Sequence, residues 1–310
     1  MSRRILLVIN PGAASGRGRK RFDEFLGMLD DRGVERDYIL TERPGQAVEI
    51  AAEASTHYDV IAAVGGDGTV NEVATGLLQN GRPRAALAVV PIGTGNDVAQ
   101  LIGVREMETS LLSLTDGAVQ PMDAIGVCCM AEGVVAKRFG LLYAAVGFAG
   151  EVGKCTTPTI KRVFGARYCY SVGFFRALCR FESPHMRVCC DDREFEGDMF
   201  LVSAGNAEIV GGGAMRLSPG ARIDDGKLNV NIVHSLNRIE ITRCFPKLLM
   251  GTHVTHPRVE YFTATRVKVE SEPALEIQID GELFGQTPAT FEVKPGAIRV
   301  CTGWGLSGSA

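Results

Sequence analysis

Residues 58–80 read YDVIAAVGGDGTVNEVATGLLQN, and the way this stretch is punctuated decides the fold. Val60 to Val64 is a short apolar, β-branched run, the mark of a strand buried on both faces. Gly65-Gly66-Asp67-Gly68 follows, three glycines around one carboxylate. Thr69-x-x-Glu72 reads as a capping box that opens a helix. Val70, Val73, Ala74, Leu77 and Leu78 recur behind it at helical spacing, and Gly81 sits where the helix would stop. Strand, glycine turn and helix N-terminus together let backbone N–H groups approach phosphate oxygens. Asp67 is the misfit in such a loop.

On the amino-terminal side, Ile5 to Ile9 reads as a first buried strand. The glycine-rich turn Asn10-Pro11-Gly12-Ala13-Ala14-Ser15-Gly16-Arg17-Gly18 follows it. Arg17, Arg19, Lys20 and Arg21 open the next helix, whose apolar positions are Phe22, Phe25, Leu26 and Leu29. Basic residues at a helix start oppose its dipole, so this cluster either awaits an anion or forms a solvated face. Arg36 to Thr41 is predicted as a second strand and Gln46 to Ala54 as a helix. On the carboxyl side, Ala86 to Val90 is another buried strand. It runs into Pro91-Ile92-Gly93-Thr94-Gly95-Asn96-Asp97 and a helical pattern over Val98 to Ile102, closed by Gly103. Strands alternating with helices imply a parallel sheet covered on both faces. Ligands of such sheets bind at the carboxyl ends of the strands, so three glycine-bearing loops would gather on one edge.

From about Asp123 the texture changes. Leu141 to Val146, Met199 to Ala204, Leu228 to Val233, Val267 to Glu270 and Leu275 to Asp280 read as short strands. Helical patterns over Gly165 to Leu178 and Arg238 to Met250 interrupt them. This half is predicted to be mostly antiparallel β.

Composition sets outer bounds. The chain has 310 residues, 45% hydrophobic and 22% charged, with a net charge of -3. That balance gives no reason to expect a nucleic-acid partner, and no apolar run approaches the ~18 residues of a membrane span. The start, MSRRILLVINPG, is read as the first strand rather than a signal peptide. Nine cysteines include no C-x-x-C pair. The adjacent pairs Cys128-Cys129 and Cys189-Cys190 suit neither a disulfide framework nor a tetrahedral zinc site, so reduced thiols in a cytosol are expected. His253-x-x-His256 is followed at once by Pro257, with no acidic ligand close by, which argues against a metal there.

Acidic residues placed in loops carry the chemistry: Asp67, Asp97, Asp123, Asp224 or Asp225, and Asp280 with Glu282. Phosphate loops repel carboxylates unless a cation stands between them. Mg2+ prefers few direct carboxylates, together with waters and phosphate oxygens, so this pattern points to metal-assisted phosphoryl transfer. The plainer alternative is turn capping, for which Asp224-Asp225-Gly226 is a good sequence.

Gly65-Gly66-Asp67-Gly68-Thr69-x-Asn71-Glu72 together with Pro91-x-Gly93-Thr94-x-Asn96-Asp97 resembles the catalytic domain of diacylglycerol, sphingosine and ceramide kinases, above all the small bacterial soluble lipid kinases. The first motif also fits NAD kinases and phosphofructokinases; the second shifts the choice to lipid kinases. Asn10-Pro11 with Ser15-Gly16-x-Gly18, Thr41, Asn206 with Gly211-Gly212-Gly213, Leu217-Ser218-Pro219, Asp224-Asp225-Gly226-x-Leu228 and Asp280-Gly281-Glu282 resemble further motifs of that family in order. The resemblance runs from Ile5 to about Arg299.

The resemblance implies an α/β N-terminal domain with a phosphofructokinase-like parallel sheet, residues 1–123 with a C-terminal return over 297–310. It also implies a mostly-β C-terminal sandwich over 124–296, with ATP in the cleft between. Asn10, Thr41, Gly65, Gly66, Asp67, Gly68, Thr69, Val70, Asn71, Glu72, Gly93, Thr94 and Asn96 would line ATP or its phosphates. Asp67, Asp97 and Asp123 would join a water-bridged Mg2+ network. Asp225, with main-chain carbonyls of Arg222 and Lys227, would hold a second, structural Mg2+. Glu282 would be the general base, with Asp280 its rival and Asp67 a third catalytic acid. Two departures stand out: the first loop, NPGAASG, is a residue longer than the commonest form, and Gly147-Phe148-Ala149-Gly150 lacks the acid many relatives carry after the Phe.

The implied activity is transfer of the ATP γ-phosphate to a lipid hydroxyl, diacylglycerol to phosphatidic acid first among the candidates. An NAD-kinase-like enzyme and a non-catalytic nucleotide-binding membrane adaptor are the alternatives. The implied location is cytoplasmic, peripheral to the inner face of the membrane, and a homodimer is compatible with the sequence. Lys161 to Tyr170 mixes basic and aromatic residues that could touch anionic lipid or form the solvated side of a packed helix.

Overall fold

The structure, a computed structural model, describes residues 3–13, 18–93, 95–155, 173–174 and 176–303. The chain divides into two units, Met1–Ala124 with Pro295–Ala310, and Ile125–Lys294. The first contains β1 (Ile5–Ile9), α1 (Gly18–Asp31), β2 (Asp37–Leu40), α2 (Gln46–Ala54), β3 (Val60–Gly65), α3 (Asp67–Gln79), β4 (Ala86–Pro91), α4 (Asp97–Leu101) and α5 (Met107–Thr115). β5 (Val119–Ala131) then leads into the second unit.

β1, β3 and β4 are buried along their whole length, as strands covered on both faces must be. β1 pairs in parallel with β2 and β3, and β3 in parallel with β4, in register from Val60↔Ala86 to Gly65↔Pro91. Phe22, Phe25 and Leu29 of α1 and Leu111 and Leu114 of α5 pack with Leu7, Ile9, Val64 and Val90. The alternate residues Leu6, Val8, Ile61 and Ala63 point to the opposite face and are buried too. α2 and α3 cross closely because Gly76 has no side chain: a Cβ there would stand 2.2 Å from the Val48 carbonyl.

Several local readings change. The helix after the first glycine turn begins at Asp67, with extended Gly66 as N-cap, so Thr69 and Glu72 lie inside its first turns and form no capping box. Gly81 does end the run, at φ 98°, with its N–H on the Leu78 carbonyl. The second strand shortens to β2, an exposed edge. α5 was not foreseen.

The second unit is built from β6 (Val134–Gly140), β7 (Tyr143–Gly147), α6 (Phe148–Cys155), β8 (His185–Cys190), β9 (Arg193–Gly205), β10 (Leu228–His234), α7 (Arg238–Met250), β11 (Val259–Ala264), β12 (Arg266–Glu272), β13 (Glu276–Ile279) and β14 (Glu282–Cys301). Its pairings are antiparallel. They close on themselves in the order β9-β7-β13-β14-β12-β8-β9. Closure depends on long strands that change neighbours part-way. β9 pairs with β8 over Arg193–Asp198 and with β7 over Leu201–Gly205, while β14 pairs first with β13 and then with β12. Phe291, Val188, Val202, Val230, Val267 and Ile277 fill the core inside.

The predicted strand Leu141 to Val146 starts later, at Tyr143, and the N–H groups of Leu141, Leu142 and Tyr143 go to one carboxylate. β5, β6, β8, β11 and β14 were not foreseen. The helix expected over Gly165 to Leu178, and the Lys161–Tyr170 segment, lie mostly or wholly outside the described residues. At its carboxyl end β14 returns to the first unit, where Val300 pairs in parallel with Leu87 of β4.

Candidate active site

Two glycine turns meet at the carboxyl edge of the first unit's sheet. The main-chain N–H groups of Ile92 and Gly93 both donate to the Gly65 carbonyl, at 3.0 and 3.2 Å. A Cβ on Gly93 would stand 2.6 Å from the Gly66 Cα, so only glycine permits this approach. Asp67 fastens the second turn from the first: its Oδ2 accepts the Asn96 N–H at 2.8 Å and its Oδ1 the Asp97 N–H at 2.7 Å. Asn96 sits at φ 53° and donates its Nδ2 to the Gly93 carbonyl at 2.8 Å. Asparagine tolerates that left-handed conformation better than most residues. No side chain caps the N-terminus of α3, which leaves a 13-residue helix presenting its positive end at this edge.

The first loop joins the same edge. Asn10 donates Nδ2 to Thr69 Oγ1 at 3.1 Å and accepts the Gly12 N–H on Oδ1 at 3.0 Å. Gly65 leaves room for Thr69, whose Oγ1 would be 2.4 Å from a Cβ at 65. Two other expected nucleotide residues make hydrogen bonds within the same unit. Thr41 turns its hydroxyl to the Ile9 carbonyl at 3.3 Å, and Glu72 accepts the Gly45 N–H at 3.1 Å. Val70 and Asn71 are buried. Gly68 lies in the first turn of α3, and Thr94 is outside the described residues.

Among the described residues no group of three or more His, Cys, Asp or Glu side chains is placed to hold a metal. The expected water-bridged network of Asp67, Asp97 and Asp123 does not require such a direct cage. Asp123 is buried, and its Oδ1 accepts the Gly296 N–H of β14 at 2.7 Å, within the same unit. Asp67 and the adjacent Asp97 do fit the way Mg2+ is usually held, by one or two carboxylates with water and substrate phosphates supplying the rest.

In the second unit, Asp280 and Glu282 separate sharply. Asp280 is buried, at φ 50°, and its carboxylate accepts the N–H groups of Leu141 at 2.7 Å, Leu142 at 2.9 Å and Tyr143 at 3.0 Å. Asn206 holds the same segment, giving Nδ2 to the Leu141 carbonyl at 2.9 Å. Glu282 is 46% exposed and meets Arg138 Nη2 at 2.8 Å. The Arg138 guanidinium also lies 5.3 Å from the Phe284 ring centroid. Sequence reasoning missed Arg138; its one signal was a Lys-Arg pair inside the apolar run VVAKRFG. In the loop before β10, Lys227 N–H donates to Asp225 Oδ1 at 3.0 Å and Arg222 Nε to Asp224 Oδ1 at 3.3 Å. This is the Asx-type turn its sequence allows, and it leaves the Arg222 and Lys227 carbonyls as the only other expected ligands.

A family model described as the diacylglycerol kinase catalytic domain matches residues 4–127, and one described as the YegS C-terminal NAD kinase beta sandwich-like domain matches residues 144–302. The chain belongs to the diacylglycerol kinase family. A diacylglycerol kinase of Staphylococcus haemolyticus is 30% identical over 298 residues, covering 96% of this chain and 87% of the relative. That of Staphylococcus saprophyticus is 28% identical, covering 94% and 92%. A solved diacylglycerol kinase structure from Bacillus anthracis shares the fold with a TM-score of 0.71, at 22% identity and 97% coverage of both chains. Yeast NADH kinase complexed with NADH shares it more distantly, with a TM-score of 0.52 at 10% identity, covering 97% and 83%. These structural likenesses speak to fold alone. Membership of the diacylglycerol kinase family makes the chain a kinase and implies ATP as phosphate donor. Among the described residues no helix is long and apolar enough to cross a membrane.

Proposed function

We propose that the chain is an ATP- and Mg2+-dependent lipid kinase that phosphorylates a lipid hydroxyl, with diacylglycerol as the first substrate to test. The observation that carries this reading is Asp67, which binds the Asn96 and Asp97 N–H groups and so locks the two glycine turns into one edge. The names of the relatives support the lipid as acceptor. The first unit is read as the phosphofructokinase-like nucleotide domain and the second as the lipid-substrate domain.

Gly65, Gly66, Gly68 and the uncapped end of α3 hold the triphosphate, with Asn10 steadying Thr69 beside it. When bound through Asp67 and Asp97, Mg2+ supplies neutralisation of charge on the β- and γ-phosphates. Glu282 takes the proton of the lipid hydroxyl as its oxygen bonds to the γ-phosphorus; the bond to the bridging oxygen breaks and ADP leaves. Asp280 has both oxygens engaged by main-chain N–H groups, which disfavours it as the base. Base catalysis of this kind contributes roughly 10²–10⁴-fold, and charge stabilisation is usually the larger share. The loop at Asp225 is read as the second, structural Mg2+ site. Lipid alcohols reside in membranes, so a peripheral membrane association follows from the substrate.

The deciding experiment is a labelled-ATP assay across diacylglycerol, monoacylglycerol, ceramide, sphingosine, phosphatidylglycerol, undecaprenol and NAD, with and without Mg2+. Label in a lipid product only when Mg2+ is present is the expected result. Label in NAD alone would favour an NAD-kinase-like enzyme. ATP binding without turnover of any acceptor would favour a nucleotide-binding adaptor.

A further inference from the structure

The first unit carries a second concave site. An open groove of about 280 Å3 is lined by Arg3, Arg84, Arg299 and Asp59 over Val60 and Ala86. Val60 and Ala86 open β3 and β4, which run in parallel. The groove therefore lies at the amino ends of these strands, roughly 17 Å along them from the glycine turns at their carboxyl ends. It is separate from the edge that Asp67 organises.

Its charge is unbalanced. Three arginines and one aspartate line it, a formal +2 (3 − 1). That carboxylate is already engaged: Asp59 accepts the Arg4 N–H on Oδ2 and Arg84 Nη2 on Oδ1, each at 3.0 Å. The Arg4 backbone bond and Arg84 hold it below the usual carboxylate range. Arg3 is fixed by donating to the Ser113, Leu114 and Gly117 carbonyls at the end of α5. Arg299 gives Nη2 to the Arg84 carbonyl. A guanidinium carries five donors in a planar fork, and these bonds engage one of the five on Arg84 and one on Arg299. The Arg84 side chain is 59% exposed, within reach of a ligand. Guanidiniums held in one groove repel one another, and an oxyanion relieves that repulsion while taking bidentate bonds. The volume is below the roughly 300–1,000 Å3 of organic-ligand pockets, which selects a small group.

We propose that this groove is a second anion site that binds a phosphate group, carried by free phosphate or by a phospholipid headgroup. The proposal does not depend on which acceptor the kinase uses.

The test titrates inorganic phosphate calorimetrically into the full chain saturated with Mg2+ and a non-hydrolysable ATP analogue. Wild type is expected to bind. Arg299→Gln, which keeps an N–H for the Arg84 carbonyl, should weaken binding at least about tenfold, the worth of one charge-assisted contact. Arg84→Gln with Arg299→Gln should abolish it, and Arg84→Lys with Arg299→Lys, which keeps the charge but not the planar fork, should restore only part of it. Kinase activity in phosphate-free buffer should be unchanged in Arg299→Gln, which also reports a folded protein. Co-sedimentation with phosphatidylcholine vesicles, with and without phosphatidate, separates the sources. Phosphatidate-dependent binding lost in Arg299→Gln identifies a headgroup; phosphate binding with no vesicle dependence identifies the free ion. Equal phosphate affinity in wild type and Arg299→Gln, with no vesicle difference, overturns the proposal and leaves a solvated ion-pair cluster.

Discussion

Asp67 Oδ1 accepts the main-chain N–H of Asp97 at 2.7 Å, across 30 residues of sequence. The second carboxylate oxygen does the same for Asn96. One side chain thus holds together the turns that follow two neighbouring parallel strands.

Asp67→Ala is expected to act on both stability and rate. Two N–H groups lose a charged acceptor, which costs about 2 kcal/mol or more, and the second turn loses its anchor. Turnover should fall at least about 10²-fold, as for loss of a group that organises charge in a transition state. Urea unfolding and steady-state kinetics check the two effects. A variant with normal stability and normal turnover would remove Asp67 from its proposed role.

Asp280 and Glu282 should separate cleanly. Glu282→Gln removes a partly exposed ion pair worth at most about 1 kcal/mol, yet should lower turnover by about 10²–10⁴-fold. Asp280→Ala orphans three N–H groups, two of them buried, and places alanine at φ 50°. A loss of at least about 3 kcal/mol is expected. A Glu282→Gln variant that keeps its rate would remove Glu282 as the base, and an Asp280→Ala variant that keeps its stability would remove Asp280 as the anchor.

Gly93→Ala should open the site without touching a charged group. Its Cβ would stand 2.6 Å from the Gly66 Cα, so the two turns must part. The expected result is a KM for ATP raised about tenfold or more, with an overpacking loss of roughly 1–3 kcal/mol. An unchanged KM would mean that the contact between the turns does not shape nucleotide binding.

How much of this was legible depended on the range of each interaction. The strand, turn and helix around Gly65–Gly68 could be read because apolar periodicity and glycine are local signals. The Thr69 and Glu72 capping box failed because both side chains found distant partners: Asn10, 59 positions away, and Gly45, 27 away. Sequence could not choose between Asp280 and Glu282 for the same reason. The N–H groups that engage Asp280 come from Leu141 to Tyr143, and the Arg138 that meets Glu282 is 144 positions off. β14 went unseen because Gly285, Pro288, Pro295 and Gly296 punctuate it, although it is 20 residues long. The closed sheet supplies partners on both sides that outweigh these local breakers.

Acid should destabilise the second unit through His253. This side chain is buried, and burial holds its pKa below the ordinary 6.5 despite the influence of the Leu217 backbone, which acts the other way. The folded state therefore keeps His253 neutral while the unfolded chain takes up a proton. The sign follows: above about pH 6.5 the group contributes no pH dependence, and stability is lost as pH falls from there toward the lowered folded value. Asp191 in the same unit, whose value lies below the ordinary 3.8, adds its loss only at lower pH. Urea midpoints of wild type and His253→Leu, measured at pH 7.5 and pH 5.5, isolate the histidine. His185, whose value Glu196 and Asp198 raise, changes alike in both proteins, so His253→Leu should lose less stability than wild type between the two values; equal changes would show that His253 is not the acid-sensitive group.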